Sequence, residues 1–198
     1  GQFHLITSFT GVHSFKGSYE VKLTLVTDGG SVSISKPIAI AQDDYSLLEP
    51  ELEALVRDSE GKKWVFAGTG SDGGQWYYMA NGANWQEVWW NAGGDCCPPP
   101  DVNGVMHFDI VGGNNYWYYS SPDAEPVKGS FSMNVKDKIL SLTGAPILGD
   151  ISHEAVQAGS ADGRYEVKSI TEDELILFVS SNGYDTGWVF KFVPQAEE

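Results

Sequence analysis

The sequence is poor in basic residues and cysteine, and it contains no long apolar run. Only 12 of its 198 residues are Lys or Arg, against 27 Asp or Glu, which gives a net charge of −15. A field of that sign repels polyanions, so DNA, RNA and anionic membrane surfaces are poor partners, whereas a neutral ligand is unaffected. No stretch approaches the ~18 apolar residues of a membrane-spanning helix, and residues 1–10 lack the basic start and apolar run of a signal peptide.

Motifs for catalysis and metal binding are also missing. The four histidines do not have a metal-ligand spacing, and no nucleophile elbow or phosphate-binding glycine loop occurs. The two cysteines, Cys96 and Cys97, are adjacent. Adjacent cysteines rarely pair because a disulfide prefers Cα atoms about 5.5 Å apart, so loop thiols and a strained vicinal pair both stay open. We therefore expect no enzyme activity, no metal and no cofactor.

Alternating apolar and polar residues predict an all-β protein. Residues 19–25 and 32–34 alternate on either side of Asp28-Gly29-Gly30, which predicts a hairpin. Leu48, Leu52, Leu55 and Val56 share one helical face, which predicts a short linker helix. About nine further short strands predict a β-sandwich or jelly roll, and they cover residues 64–66, 75–79, 105–111, 116–120, 130–135, 139–142, 164–170, 174–179 and 188–193.

Aromatic residues are the informative feature, since the chain has seven Trp, nine Tyr and nine Phe. They cluster in residues 75–91 and 114–119, where several follow one another directly. Successive strand residues point to opposite faces, so such runs overfill a one-sided core and leave some rings at the surface. Exposed Trp and Tyr rings stack on the C–H faces of sugars, while neighbouring amides and carboxylates bond the hydroxyls. Trp64 and Trp188, on regular strands, are expected to be core.

We accordingly predict a glycan-binding site with three kinds of member. The stacking platforms are Trp76, Trp85, Trp89, Trp90 and Trp117, with Tyr77 as a further aromatic contact, and the polar partners are Gln75, Asn84, Glu87 and Asn91. If one strand carries Trp89 and Trp90, their side chains face opposite ways. One of the two is then expected in the core and the other on the ligand.

The residues also resemble a known family. Residues 15–25 resemble the closing strands of an immunoglobulin-like PKD domain, whose upstream Trp-Asp-Phe-Gly part is missing here. The chain beyond is similar to surface glycan-binding lipoproteins of Bacteroidetes polysaccharide-utilisation loci. The likeness lies in their linker helix, their Trp-Trp-Ser-Ala-Gly motif and their closing strands, matched by residues 50–65, 88–93, 144–149, 165–175 and 188–194. Residues 74–79 and 96–100 depart from the family pattern, which puts its ligand in doubt more than its role.

The resemblance implies three parts: the C-terminal part of a PKD domain (1–42), a linker with a short helix (43–62) and a β-sandwich glycan-binding domain (63–198). It also implies a non-enzymatic outer-membrane lipoprotein at the cell surface, held by a lipid anchor outside this chain, that passes a neutral polysaccharide to a glycan importer. β-Glucans are the favoured ligands. Two alternatives stay open: a jelly-roll glycoside hydrolase, which needs two facing carboxyl groups about 5–9.5 Å apart, and a structural or adhesive module that packs its aromatics against a protein.

Overall fold

The computed structural model describes residues 16–44, 48–58, 60–68, 75–93, 96–150, 160, 162–180 and 185–196. The chain divides into two compact units, Gly1–Leu48 and Glu49–Glu198. Ser46 and its neighbours, which precede the predicted helix, lie outside the described residues. In the described part of the chain, no helix is both long and apolar enough to cross a membrane.

The first unit contains the predicted hairpin. Strands β1 (Gly17–Thr27) and β2 (Gly30–Ile40) pair antiparallel around a tight turn, with Leu23 opposite Ile34. Residues directly opposite in an antiparallel pair share a face, so one face is mostly apolar, with Lys36 as its charged exception, and the other carries most of the polar side chains. Most of the apolar side chains, Leu23 and Ile34 among them, are largely exposed. The hairpin is therefore strongly amphipathic.

The second unit is a closed sheet with one helix. Its elements are α1 (Pro50–Val56), β3 (Lys62–Phe66), β4 (Gln75–Asn81), β5 (Trp90–Gly93), β6 (Val105–Asp109), β7 (Asn115–Tyr119), β8 (Val127–Asn134), β9 (Ile139–Thr143), β10 (Arg164–Ile170), β11 (Leu175–Ser180) and β12 (Thr186–Pro194). Eight antiparallel strands follow one another in the order β11, β10, β9, β8, β7, β6, β3 and β12, and β12 pairs again with β11. The strands thus form a closed barrel.

Strand β12 pairs with a third strand in addition to β3 and β11. Its last residues, from Phe192 on, pair with β3, whereas the earlier residues 186–190 pair with β4 on the same edge. β4 in turn pairs with β5, which ends the sheet. A two-stranded extension therefore branches from the barrel, and it carries most of the predicted site.

The barrel interior is filled by large side chains from all eight barrel strands and by residues from α1. Leu55 and Val56 at the end of α1 are buried in the main core. The indole Nε1 of Trp64 donates to the Leu55 carbonyl at 3.0 Å, and the Lys62 ammonium donates to the Ala54 carbonyl while lying 4.2 Å from the Trp64 ring centroid. These contacts fasten the helix to β3.

The all-β prediction and the short helix are confirmed. The strands differ from the predicted sandwich or jelly roll because they close into one ring of paired neighbours. The sequence also did not predict β5, whose four residues are too few to show an alternation. Trp64 and Trp188 are core residues as expected.

Candidate functional site

The segment between β4 and β5 is a compact turn that positions the predicted tryptophans. The backbone N–H of Gly82 donates to the Asp185 carbonyl at 2.6 Å, and that of Glu87 donates to the Asn84 carbonyl at 2.9 Å. The Trp89 N–H reaches the Met79 carbonyl at 3.0 Å. One of these hydrogen bonds lies within the turn, and the other two attach it to β4 and to the residue before β12. They therefore fix the backbone conformation of residues 82–89.

Trp85 packs on a second apolar cluster, separate from the main core. The cluster lies on the other face of β4, β11 and β12 and consists of Tyr78, Ala80, Ile176, Phe178 and Val189. Trp85 is half-buried against it. Its ring therefore covers apolar surface on one side and keeps part of its area for solvent or a ligand.

Trp89 and Trp90 form the most exposed aromatic surface of the second unit. Trp89 is 51% exposed and Trp90 37%, and Val88 beside them is also exposed. The Trp90 ring lies 6.0 Å from Tyr77 and 5.8 Å from Trp188, edge to face with the latter. We call Val88, Trp89 and Trp90 the aromatic edge. Its second tryptophan is held by rings beneath it, so its orientation is fixed before any ligand arrives.

The predicted split between Trp89 and Trp90 required one strand to carry both residues, and the structure does not meet that condition, because β5 begins at Trp90. Trp90 pairs with Met79 and leans on the core, as a core member would, yet more than a third of it is exposed. Trp89 precedes β5 and is the freer of the two. Neither ring is fully buried.

Trp76 and Tyr77 are not at the surface. They are 4% and 2% exposed, and both belong to the main core. A bulge between Gln75 and Tyr77 in the pairing with β5 breaks the strict alternation, so these neighbours share one side while Tyr78 lies on the other. A buried ring offers no free face to a sugar, and we remove both residues from the candidate site.

Three of the four predicted polar partners are exposed on the turn before the aromatic edge or on β5. Asn84 and Glu87 are exposed on the turn before it, and Asn91 is exposed on β5. Asn91 pairs with Tyr78 and so faces away from Trp90. Gln75 begins β4, but its side chain lies outside the described residues. Polar groups therefore flank the edge on the turn side and on the outer face of β5.

Trp117 belongs to a different surface. It lies on β7, and β6, β3 and β12 separate that strand from β4. At about 4.8 Å per strand this is a path of about 19 Å across the sheet. Its neighbours Tyr116 and Tyr118 point to the core while Trp117 points outward, as alternation predicts.

Cys96 and Cys97 form a disulfide, which settles the question that the sequence left open. The backbone of Cys96 bridges to Gly93 at the end of β5, and the Tyr77 hydroxyl donates to the Cys97 carbonyl at 3.2 Å. Cys97 has φ +64°, in the left-handed region that few non-glycine residues adopt. The disulfide thus joins two neighbouring residues of the loop that follows the aromatic edge, and the bridge to Gly93 and the Tyr77 hydrogen bond attach that loop to β5 and β4.

A buried carboxylate, Asp101, connects the loop after Pro100 to β7 and to the loop that follows β9. The sequence did not predict this role. Asp101 accepts from the Tyr118 hydroxyl at 2.7 Å and from the Gly149 N–H at 3.1 Å. Burial and the Asp101 contact raise the pKa of Tyr118, so its hydroxyl stays protonated as a donor. An aspartate between prolines and a turn gives no sequence signal for such a role.

An open cavity of about 310 Å³ lies beside the same loops. Its lining includes Pro146, Asp150, Ser160 and Tyr165. The Tyr165 hydroxyl donates to Asp150 at 2.9 Å, and burial raises the pKa of Asp150 above its usual value. This pair was not predicted either, because its members lie 15 residues apart.

In the part of the chain that the structure describes, no three His, Cys, Asp or Glu side chains converge. No protein-family model matches the chain, and no curated protein matches it either. The arrangement itself offers a fixed, partly exposed aromatic surface with amide and carboxylate groups beside it. Such a surface can stack on an apolar ring face and bond its hydroxyls.

Proposed function

We propose that this chain is a non-catalytic carbohydrate-binding protein that holds a neutral polysaccharide on the aromatic edge. The observation that carries the proposal is the exposure of Trp89 and Trp90 at the end of a sheet, with Trp90 backed by Tyr77 and Trp188. Large exposed rings are costly unless they serve binding. Rings that are already oriented lose little entropy when a sugar stacks on them.

Charge favours a neutral ligand for this site. Glu87 is exposed in the turn that precedes the edge, so the charged group at this site is a carboxylate. A sugar hydroxyl donates readily to a carboxylate, whereas an anionic sugar would be repelled. β-Glucans, which the family resemblance implies, are neutral and fit this requirement.

The proposal extends to the setting of the protein. The resemblance supports a cell-surface lipoprotein of the outer membrane, anchored outside this chain, that captures glycan for an importer. The amphipathic β1–β2 hairpin supports a PKD-like module before the glycan-binding domain, because two strands with an exposed apolar face need a further sheet to be stable.

The test is calorimetry and affinity electrophoresis of the wild type against a panel of soluble neutral polysaccharides. We expect binding to a β-glucan in the micromolar to millimolar range, about −4 to −8 kcal/mol. Trp89→Ala should remove most of it, whereas Val111→Ala, an exposed apolar residue away from the edge, should not. Absence of heat and of retardation for every glycan would refute the proposal.

Hydrolysis is the outcome that would favour the enzyme alternative. We expect no new reducing ends when a bound glycan is incubated with the protein for days. If such ends form and Glu87→Gln abolishes them, the protein is a hydrolase and Glu87 is its acid or base.

A further inference from the structure

A row of basic and aromatic side chains crosses the outside of the barrel, far from the aromatic edge. Lys63 on β3 pairs with His107 on β6, His107 pairs with Trp117 on β7, and Trp117 pairs with Lys128 on β8. Paired residues share a face, and the chain neighbours of His107 and Trp117 point into the core. We call these four residues the basic row, which spans three strand spacings, or about 14 Å.

A buried carboxylate orients the tryptophan of the row. Trp117 Nε1 donates to Asp109 Oδ2 at 2.9 Å, and Asp109 is only 8% exposed. Asp109 Oδ1 also accepts from Asn115 Nδ2 at 2.6 Å and from the Val111 N–H at 3.0 Å. Burying a charge is costly unless donors surround it. Here Asn115 and the Val111 N–H stabilise the Asp109 carboxylate. The carboxylate in turn accepts from the indole of Trp117 and holds that outward-facing ring in one orientation.

The lysines of the row are available to an anion. Both are exposed, and among the described residues no carboxylate lies within ion-pair distance of either ammonium. Lys128 Nζ lies 4.6 Å from the Trp117 ring centroid. A cation held over a ring still has N–H groups free to donate. The net charge of −15 does not cancel this local field, because exposed charges beyond about 10 Å are largely screened at 0.1 M salt.

Polar and aromatic groups complete the surface. Tyr119 lies two residues after Trp117 on the same strand and therefore the same face, and its ring is partly exposed. On the other side, Asn115 pairs with Ser130, which adds a hydroxyl. The surface thus combines two rings, two ammonium groups and hydroxyl-bonding side chains.

We propose that this face of the barrel is a second binding site, and that its ligand is an anionic saccharide whose charge is a carboxylate or a sulfate ester. The sugar ring stacks on Trp117 and Tyr119, and its anionic group pairs with Lys128 or Lys63. The site shares no residue with the aromatic edge, so a test of one site does not decide the other.

The test uses the complete chain and three probes: a trigalacturonate, its fully methyl-esterified form and a sulfated chondroitin tetrasaccharide. Calorimetry at low salt should show binding of at least one acidic probe and much weaker binding of the ester. At least one of Lys63→Gln and Lys128→Gln should weaken the binding of the acidic probe about threefold to fivefold, as expected for an exposed charge pair. Lys136→Gln, in an exposed turn, is the charge-matched control and should have no effect.

The aromatic variants separate the two sites. Trp117→Ala should remove acidic-probe binding and leave neutral-glycan binding unchanged, and Trp89→Ala should do the reverse. Trp117→Ala also removes a hydrogen-bond donor from the buried Asp109 carboxylate, and this variant could therefore unfold. In that case the lysine variants decide the test, because they leave the core unchanged. Binding of neither acidic probe, equal affinity for the ester, or no loss in either lysine variant would overturn the proposal.

Discussion

Replacing Trp90 with alanine is expected to destabilise the protein more than replacing Trp89. The exposed fractions are 37% and 51%, a difference of 14%. On a side chain of about 250 Å² this is about 35 Å², or roughly 1 kcal/mol of lost burial. Trp90 also loses its contacts with Tyr77 and Trp188, which add about 0.5–1.5 kcal/mol each. The expected difference between the variants is therefore about 2–4 kcal/mol.

Urea unfolding followed by circular dichroism measures this difference, since it does not depend on which tryptophan reports. Equal m-values are required, because the comparison assumes the same surface exposed on unfolding. Binding titrations of the same variants should show that Trp89→Ala loses most of its glycan binding while it stays folded. For each kcal/mol of stability lost, Trp89→Ala should therefore lose more binding than Trp90→Ala. If Trp89→Ala is as unstable as Trp90→Ala, then exposure and ring contacts do not determine the loss of stability at these two positions, and the expected difference is refuted.

Three further predictions concern the scaffold. Asp101→Ala should cost about 3 kcal/mol in urea unfolding, because it leaves a buried N–H and a tyrosine hydroxyl without their acceptor; a loss below 1 kcal/mol would contradict that role. Burial, with a smaller effect of Glu174, raises the pKa of Tyr78 to about 12. The unfolded chain, with a tyrosine pKa near 10, then ionises first, so about 2–3 kcal/mol of stability present below pH 10 should be lost by pH 12, and Tyr78→Phe should reduce that loss. Cys96 and Cys97 should give no reaction with a thiol reagent in denaturant until a dithiol reductant is added, and two thiols afterwards; reaction before reduction would exclude the disulfide.

Local alternation made the barrel strands predictable. Phe190 and Phe192 share the inward face of β12 as their spacing indicates, and Phe131 does the same on β8. Each of these positions is set by a period of two along one strand. The closure of the sheet was not predictable, because it depends on β12 pairing with strands at the other end of the unit.

The candidate site was predicted less well, for two identifiable reasons. A bulge near Gln75 puts Trp76 and Tyr77 on the same side, and nothing in the local residues announces it. The second apolar cluster, in contrast, did leave a signal: residues 175–179 are five consecutive apolar residues, the pattern of a strand buried on both faces. That run would have indicated a covering segment, which the turn around Trp85 supplies.

The position of β12 has a consequence for synthesis on the ribosome. It is the last strand of the barrel in chain order, and it is the partner of β3, β4 and β11. While the chain emerges at about 5–20 residues per second, the earlier strands keep open edges and the core lacks Phe190 and Phe192. The unit therefore closes only after its final strand has been released, and a chain interrupted before β12 would present unpaired edges to every other chain nearby.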